Sequence, residues 1–178
     1  MSGLTEIRWH ARAGQGAKTA SQVLALALLR SGKSVQSFPE YGPERRGAPL
    51  RAFTRFDTRR VRRHDSVTEP NLVVVLDSTL LAEASVLEGV DAETIVLVNA
   101  DGDAPRLGEA TVRCVPAARL AAAYGASFAN VTMLGAVAAA LGEPSLEQLQ
   151  QAIVDSLGSK SSPDALRTAA AEGFAWLN

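Results

Sequence analysis

The feature that most limits what this chain can become lies near its start. A short strand, a glycine pair, a helix and a second strand follow one another within about 30 residues. Ile7 and Trp9 alternate with polar neighbours, which predicts a strand over about 6–11. Gly14-Gln15-Gly16 then turns the chain. Ala20, Val23, Leu24, Ala27 and Leu28 recur at helical spacing and predict a helix over about 17–30. Ser31-Gly32 stops it, glycine being the residue that most readily takes the left-handed turn at a helix end. Val35 to Phe38 is the next strand. A strand–helix–strand unit crosses over right-handedly onto a parallel sheet, so the expected class is α/β.

The rest of the chain fits that class. Leu72-Val73-Val74-Val75-Leu76, ending in Asp77, is a continuous apolar run of the kind found in buried parallel strands. Further strands are expected over 94–99 and 111–115, and a helix over 79–87 capped by Asp77 or Ser78. Residues 50–57 alternate, with Leu50, Ala52, Thr54 and Phe56 opposite Arg51, Phe53 and Arg55, which predicts a sheet-edge or half-exposed strand. Helices are expected over 117–124, 130–141, 145–157 and 163–177. Asn130 is placed to cap one of them, and Ser145 with Gln148 resembles a capping box. The whole reads as a Rossmann-like, open, mostly parallel sheet with helices on both faces and a helical C-terminal portion, in one domain over 1–178.

Composition excludes several functions. Hydrophobic residues make up 47% of the 178, which suits a chain with a real core. The 18 basic and 19 acidic side chains nearly cancel, which disfavours a general nucleic-acid binder. One cysteine, Cys114, makes no internal disulfide and holds no four-cysteine cluster. With His10 and His64 as the 2 histidines, an all-protein transition-metal site is not expected. No targeting segment or bilayer-length apolar run is visible, and a cytoplasmic chain is the expectation.

Two loops can carry chemistry. The segment 11–19 joins the first strand to the first helix. Gly14 and Gly16 permit close backbone approach, and the helix N-terminus offers N–H groups to an anion. The same glycines also serve as a simple turn. The segment is not a nucleotide-hydrolase phosphate loop, and it lacks the third glycine and the strand-end acid of the dinucleotide fingerprint. The second loop, 38–49, holds three prolines and two glycines, which speak against regular structure across it. It gathers Phe38, Glu40, Tyr41, Glu44, Arg45, Arg46 and Gly47. A rigid surface loop and a functional loop are equal readings of it. From Arg45 to His64 there are eight arginines against one acid, Asp57, and Arg51, Arg55 and Arg59 are expected to line a solvated or partner-facing surface. His10 is read as structural, His64 as a surface residue and Cys114 as a buried thiol.

Together these pieces resemble a known family. Trp9-His10-Ala11-Arg12-Ala13-Gly14-Gln15-Gly16-Ala17, then Phe38-Pro39-Glu40-Tyr41-Gly42-Pro43-Glu44-Arg45-Arg46-Gly47-Ala48-Pro49, then Pro70 to Asp77, Val98-Asn99 and Asn130 to Gly135 are similar to the gamma subunit of 2-oxoacid:ferredoxin oxidoreductases, pyruvate synthase type. The likeness spans about 7–175, and the Gly-Pro-Glu-Arg-Arg-Gly-Ala-Pro segment is its most specific part. The family usually has glycine where Ala11 stands.

The resemblance implies a complex that converts a 2-oxoacid, most often pyruvate, and CoA to acyl-CoA and carbon dioxide, with ferredoxin as electron acceptor. Thiamine diphosphate, Mg and [4Fe-4S] clusters belong to the alpha-, beta- and delta-type partner subunits. The gamma chain shapes the site and the assembly, with no catalytic residue and no metal of its own, no nucleic acid and no membrane. Gly14, Gln15, Gly16, Glu44, Arg45, Arg46 and Gly47 are its candidate channel residues for substrate or cofactor. An independent dinucleotide-binding oxidoreductase or regulator is the alternative.

Overall fold

The structure, a computed structural model, describes residues 3–40, 47–63 and 65–178. Its strands are β1 (Thr5–Arg12), β2 (Ser34–Glu40), β3 (Pro49–Asp57), β4 (Leu72–Val75), β5 (Ile95–Asn99) and β6 (Thr111–Val115). Its helices are α1 (Ala17–Arg30), α2 (Ala84–Leu87), α3 (Ala117–Leu120), α4 (Ala129–Leu141), α5 (Leu146–Leu157) and α6 (Pro163–Leu177). The strands form one open sheet in the order β2-β3-β1-β4-β5-β6. β3 is antiparallel to both neighbours, and every other adjacent pair is parallel.

The expected strand–helix–strand unit is therefore split. β1 and β2 run the same way, but β3 lies between them. This corrects the edge position read for 50–57. β3 is an inner strand, and Ala52 to Phe56 are buried. The loop reading of 38–49 also shrinks at both ends. β2 continues through Pro39 and Glu40, opposite Ala52 and Arg51. Proline is tolerated there because β2 is an outer strand, where one side of the backbone needs no ladder partner.

The two sheet faces are covered unequally. On one face Ile7, Trp9, Leu72, Val74 and Leu97 share a core with α1, α4, α5 and α6. α1 ends as expected: Gly32 takes a φ of +87°, and the Gly32 and Lys33 N–H groups donate back to Leu29 and Leu28. α4 is buried from Val131 to Ala138, as a helix that is apolar all round must be. Its N-terminal flank is Phe128, so Asn130 lies inside the helix and does not cap it. α5 carries the expected capping box, Ser145 with Gln148.

On the other face Val73, Val75, Val96 and Val98 form a smaller cluster with Leu80 and Val86, against which partly buried Leu81, Val90, Leu107 and Val112 pack. The expected helix over 79–87 is broken there. A tight 3₁₀ turn runs Ser78–Ala82, Glu83 is extended, and α2 follows. On an unbroken helix Leu80 and Val86 would point about 120° apart. The break lets both reach the sheet. The expected helix over 117–124 likewise becomes α3 followed by a 3₁₀ turn, Ala121–Ala123.

Candidate functional site

The C-terminal ends of β1, β4 and β5 gather at one edge of the sheet, where open α/β sheets bind ligands. Arg12 ends β1 and ties that edge together. Its guanidinium donates to Thr79 Oγ1 at 2.8 Å (Nη2) and 3.2 Å (Nε), and to the Gly47 carbonyl at 3.2 Å. It also lies 3.4 Å from the Asp77 carboxylate. Asp77 accepts from the Thr79 N–H at 3.0 Å and from Gln15 Nε2 at 2.8 Å. Bonds from the Thr79 hydroxyl, Gln15 and the Thr79 N–H, with Arg12 nearby, hold its carboxyl below the usual carboxylate range. Asp77 thus caps the turn that follows β4, as read from the sequence, and also anchors the glycine loop. At the end of β5, Asn99 bridges the Leu76 carbonyl and the Ala118 N–H.

The two candidate loops meet here. The Ala13 N–H donates to the Ala48 carbonyl at 2.9 Å, so the glycine loop lies against the residues leading into β3. Gly14 and Gln15 stand exposed at the crest. The Gln15 side chain folds back onto the Arg12 N–H and onto Asp77, filling the loop with the chain's own amide. Gly16 has a φ of +83°, and the Asn130 amide occupies the space its β-carbon would take. Of the two glycines, Gly16 therefore meets a packing demand as well as a turning one. No side chain caps the first turn of α1. Gly47, with φ +82°, sits within reach of Arg12. Glu44, Arg45 and Arg46 lie outside the described residues, as does His64.

The arginine run reads differently in three dimensions. Arg55 is fully buried and faces Glu6 at 3.0 Å and Asp65 at 3.3 Å, so it does not line a solvated surface. Arg51 is part-buried and pairs with Glu40. Of the three, Arg59 is the one that stands exposed. Sequence reading missed this because Glu6 and Asp65 lie on separate segments that the fold brings to β3. Arg8 and His10 were missed for the same reason: both are buried on β1, Arg8 opposite Phe53 and His10 opposite Arg51. Their strict alternation with Ile7 and Trp9 was the available signal. Cys114 is half-buried on the outer strand β6, not fully enclosed, and burial pushes its thiol pKa up.

Among the described residues, no three His, Cys, Asp or Glu side chains are grouped to hold a metal ion, and no helix is long and apolar enough to cross a membrane.

Sequence and fold point to the same relatives. The family model for pyruvate ferredoxin/flavodoxin oxidoreductase matches residues 6–176. Pyruvate synthase subunit PorC of Methanocaldococcus jannaschii is 40% identical over 157 residues, covering 88% of each chain. The pyruvate/ketoisovalerate oxidoreductases common subunit gamma of Pyrococcus furiosus is 40% identical over 164 residues, covering 88% of this chain and 89% of that one. The crystal structure of the pyruvate oxidoreductase subunit PORC from Thermotoga maritima superposes with a TM-score of 0.82 at 38% identity, covering 97% and 96% of the two chains.

Proposed function

The chain belongs to the pyruvate ferredoxin/flavodoxin oxidoreductase family, as the gamma subunit of a multi-subunit 2-oxoacid oxidoreductase, and from that premise we propose that the edge built around Arg12 docks on the catalytic subunits beside the CoA channel. The observation that carries this is the joining of both candidate loops to one hub. Arg12 links Asp77, Thr79 and Gly47, so the glycine loop and the entry to β3 form one rigid contact surface. Gly14 and Gln15, exposed at its crest, make the subunit contact. Glu44, Arg45 and Arg46, directly before Gly47 in the sequence, are the residues this reading assigns to the channel, the arginines as paired donors to a carboxylate or phosphate.

In this reading the complex oxidatively decarboxylates a 2-oxoacid, most often pyruvate. The acyl group goes to CoA, carbon dioxide leaves, and two electrons pass to ferredoxin in the cytoplasm. Thiamine diphosphate, Mg and [4Fe-4S] clusters sit in alpha-, beta- and delta-type partners. The residues of this chain do not fit those groups. A cluster needs several thiolates, and Cys114 is the single thiol. Gly102-Asp103-Ala104, the nearest likeness to a thiamine diphosphate motif, lies in an exposed segment after β5.

Arg45→Ala in the assembled complex tests the channel role. The expected result is a KM for CoA raised several-fold with subunit composition unchanged. Unchanged activity and unchanged CoA dependence remove Arg45 from the channel.

A further inference from the structure

The open sheet ends in two edge strands, and the chain guards one of them. An exposed edge presents unpaired N–H and C=O groups, which proteins commonly protect with charge, proline or a covering element. At the β6 edge stands Arg113, and the Trp176 side chain of α6 donates to the Cys114 carbonyl at 3.0 Å. At the other edge, β2 has no neighbour on its outer side among the described residues. Lys33, just before it, is held by Glu143 at 2.6 Å, and Pro39 stands near its far end. Between them Val35-Gln36-Ser37-Phe38 carry no charge, are half-buried and line a groove of about 460 Å³.

Pro39 sets which backbone groups that groove offers. Proline has no N–H, so it fits the ladder where its nitrogen points away from β3. In an antiparallel pair, successive residues direct their N–H and C=O groups alternately toward the partner and away from it. Val35 and Ser37 share the parity of Pro39 and direct theirs outward, while Gln36 and Phe38 bond to β3. The side chains are held from within the chain. Ser37 Oγ donates to Ser21 of α1 at 3.1 Å, and Phe38 packs on Phe53 and beneath the Arg55 guanidinium. The edge is what remains open.

One end of this edge is basic. The Val61 N–H donates to Ser34 Oγ at 3.0 Å, which brings the exposed Arg60 and Arg62 to the N-terminal end of β2. The carboxylates of that region are already committed. Asp57 accepts from the Arg59 N–H and offsets its charge. Glu6 and Asp65 pair with Arg55 and Arg63, and Glu69 lies in the field of Arg63. Neither Arg60 nor Arg62 joins an ion pair among the described residues. At the opposite end Glu40 and Arg51 neutralise each other. Two free arginines on a chain of net charge -1 suit a pair of carboxylates, whereas a nucleic-acid surface needs a wider basic field.

We propose that an extended segment of another subunit adds to the sheet along β2, bonding to the outward groups of Val35 and Ser37. Antiparallel pairing is the more stable arrangement. It lays the C-terminal end of that segment at Ser34, where acidic side chains meet Arg60 and Arg62. This contact uses the side of the sheet, apart from the Arg12 edge, and stands or falls separately from the docking proposed there.

Amide-resolved hydrogen exchange of the full chain, alone and in the assembled complex, tests it. The expected result is that Val35 and Ser37 exchange at least tenfold more slowly in the complex, while Gln36 and Phe38, bonded to β3, change little. In the complex carrying Arg60→Glu and Arg62→Glu, that protection should fall at least tenfold, with the fold retained by circular dichroism. Arg60→Lys and Arg62→Lys should preserve it. Arg45→Ala, which reads the channel through the KM for CoA, should leave it unchanged. Equal exchange of Val35 and Ser37 in the two states, or undiminished protection in the Glu variant, overturns the proposal. Protection already present in the isolated chain and lost on dilution, with a dimer seen by sedimentation, assigns the edge to a second copy and overturns it as well.

Discussion

His10 shows most sharply how the position of a single side chain becomes a measurable property. In the unfolded chain an imidazole takes up a proton near pH 6.5, whereas in the fold burial and two neighbouring arginines hold the pKa down to about 3. Between those values the unfolded state binds more protons, so stability falls as the pH drops below about 6.5. From pH 7 to pH 5 this group alone should lower the unfolding free energy by about 2 kcal/mol. His10→Gln, which keeps an acceptor for Arg8, should remove that part of the pH dependence. Urea unfolding of both chains at the two pH values measures it, and equal pH dependence would contradict a buried neutral imidazole. Such residues were hard to read from sequence. The alternation of Arg8 and His10 with Ile7 and Trp9 suggests a two-faced strand with one wet face. The wet face is instead buried by the segment carrying Val67 and by α2, distant in sequence. The role of Asp77 was legible because a cap acts on the residues next to it. The burial of Arg55 was not, because its partners are Glu6 and Asp65.

At the scale of elements, the α4–α6 crossing sets the shape of the helical layer. Gly135 of α4 faces the backbone of α6, and a β-carbon there would overlap the Ala170 carbonyl and lie 2.8 Å from Phe174 N. Gly173 of α6 faces α4 in return, and its β-carbon would overlap the Thr132 carbonyl. Both contacts are with backbone, which cannot swing aside. Gly135→Ala or Gly173→Ala should therefore destabilise the chain by about 1–3 kcal/mol, read as a lowered urea midpoint with an unchanged slope. An unchanged midpoint would mean that the two helices separate freely. Gly135, Ala136 and Ala139 make this close approach legible in the sequence, because small side chains on a helix let a neighbouring backbone come near. Helix α6 and strand β6 were readable to the residue, since local pattern and caps define them. The break between Ser78 and Leu87 was not. There the need to bring Leu80 and Val86 to one face overrides local helix formation. The inner position of β3 was also invisible, because strand order depends on pairings between distant segments.

At the scale of the whole molecule, the chain is a mixed sheet with one heavily covered face and one thinly covered face. Both candidate loops lie at the strand ends, joined through Arg12. The family was legible from a loop motif and a strand–turn–helix start, because those segments are defined by local residue order. Which loop contacts what is set between chains, and no single sequence carries that. The central claim is that this chain works only as part of a larger assembly. Isolating the tagged chain from its native host at its natural abundance, followed by native mass spectrometry and assay of 2-oxoacid oxidation, tests it most directly. The account predicts recovery within a larger complex that contains thiamine diphosphate and iron–sulfur clusters and reduces ferredoxin in a CoA-dependent reaction. Recovery of the chain alone, beside a fully active complex that lacks it, would contradict the account.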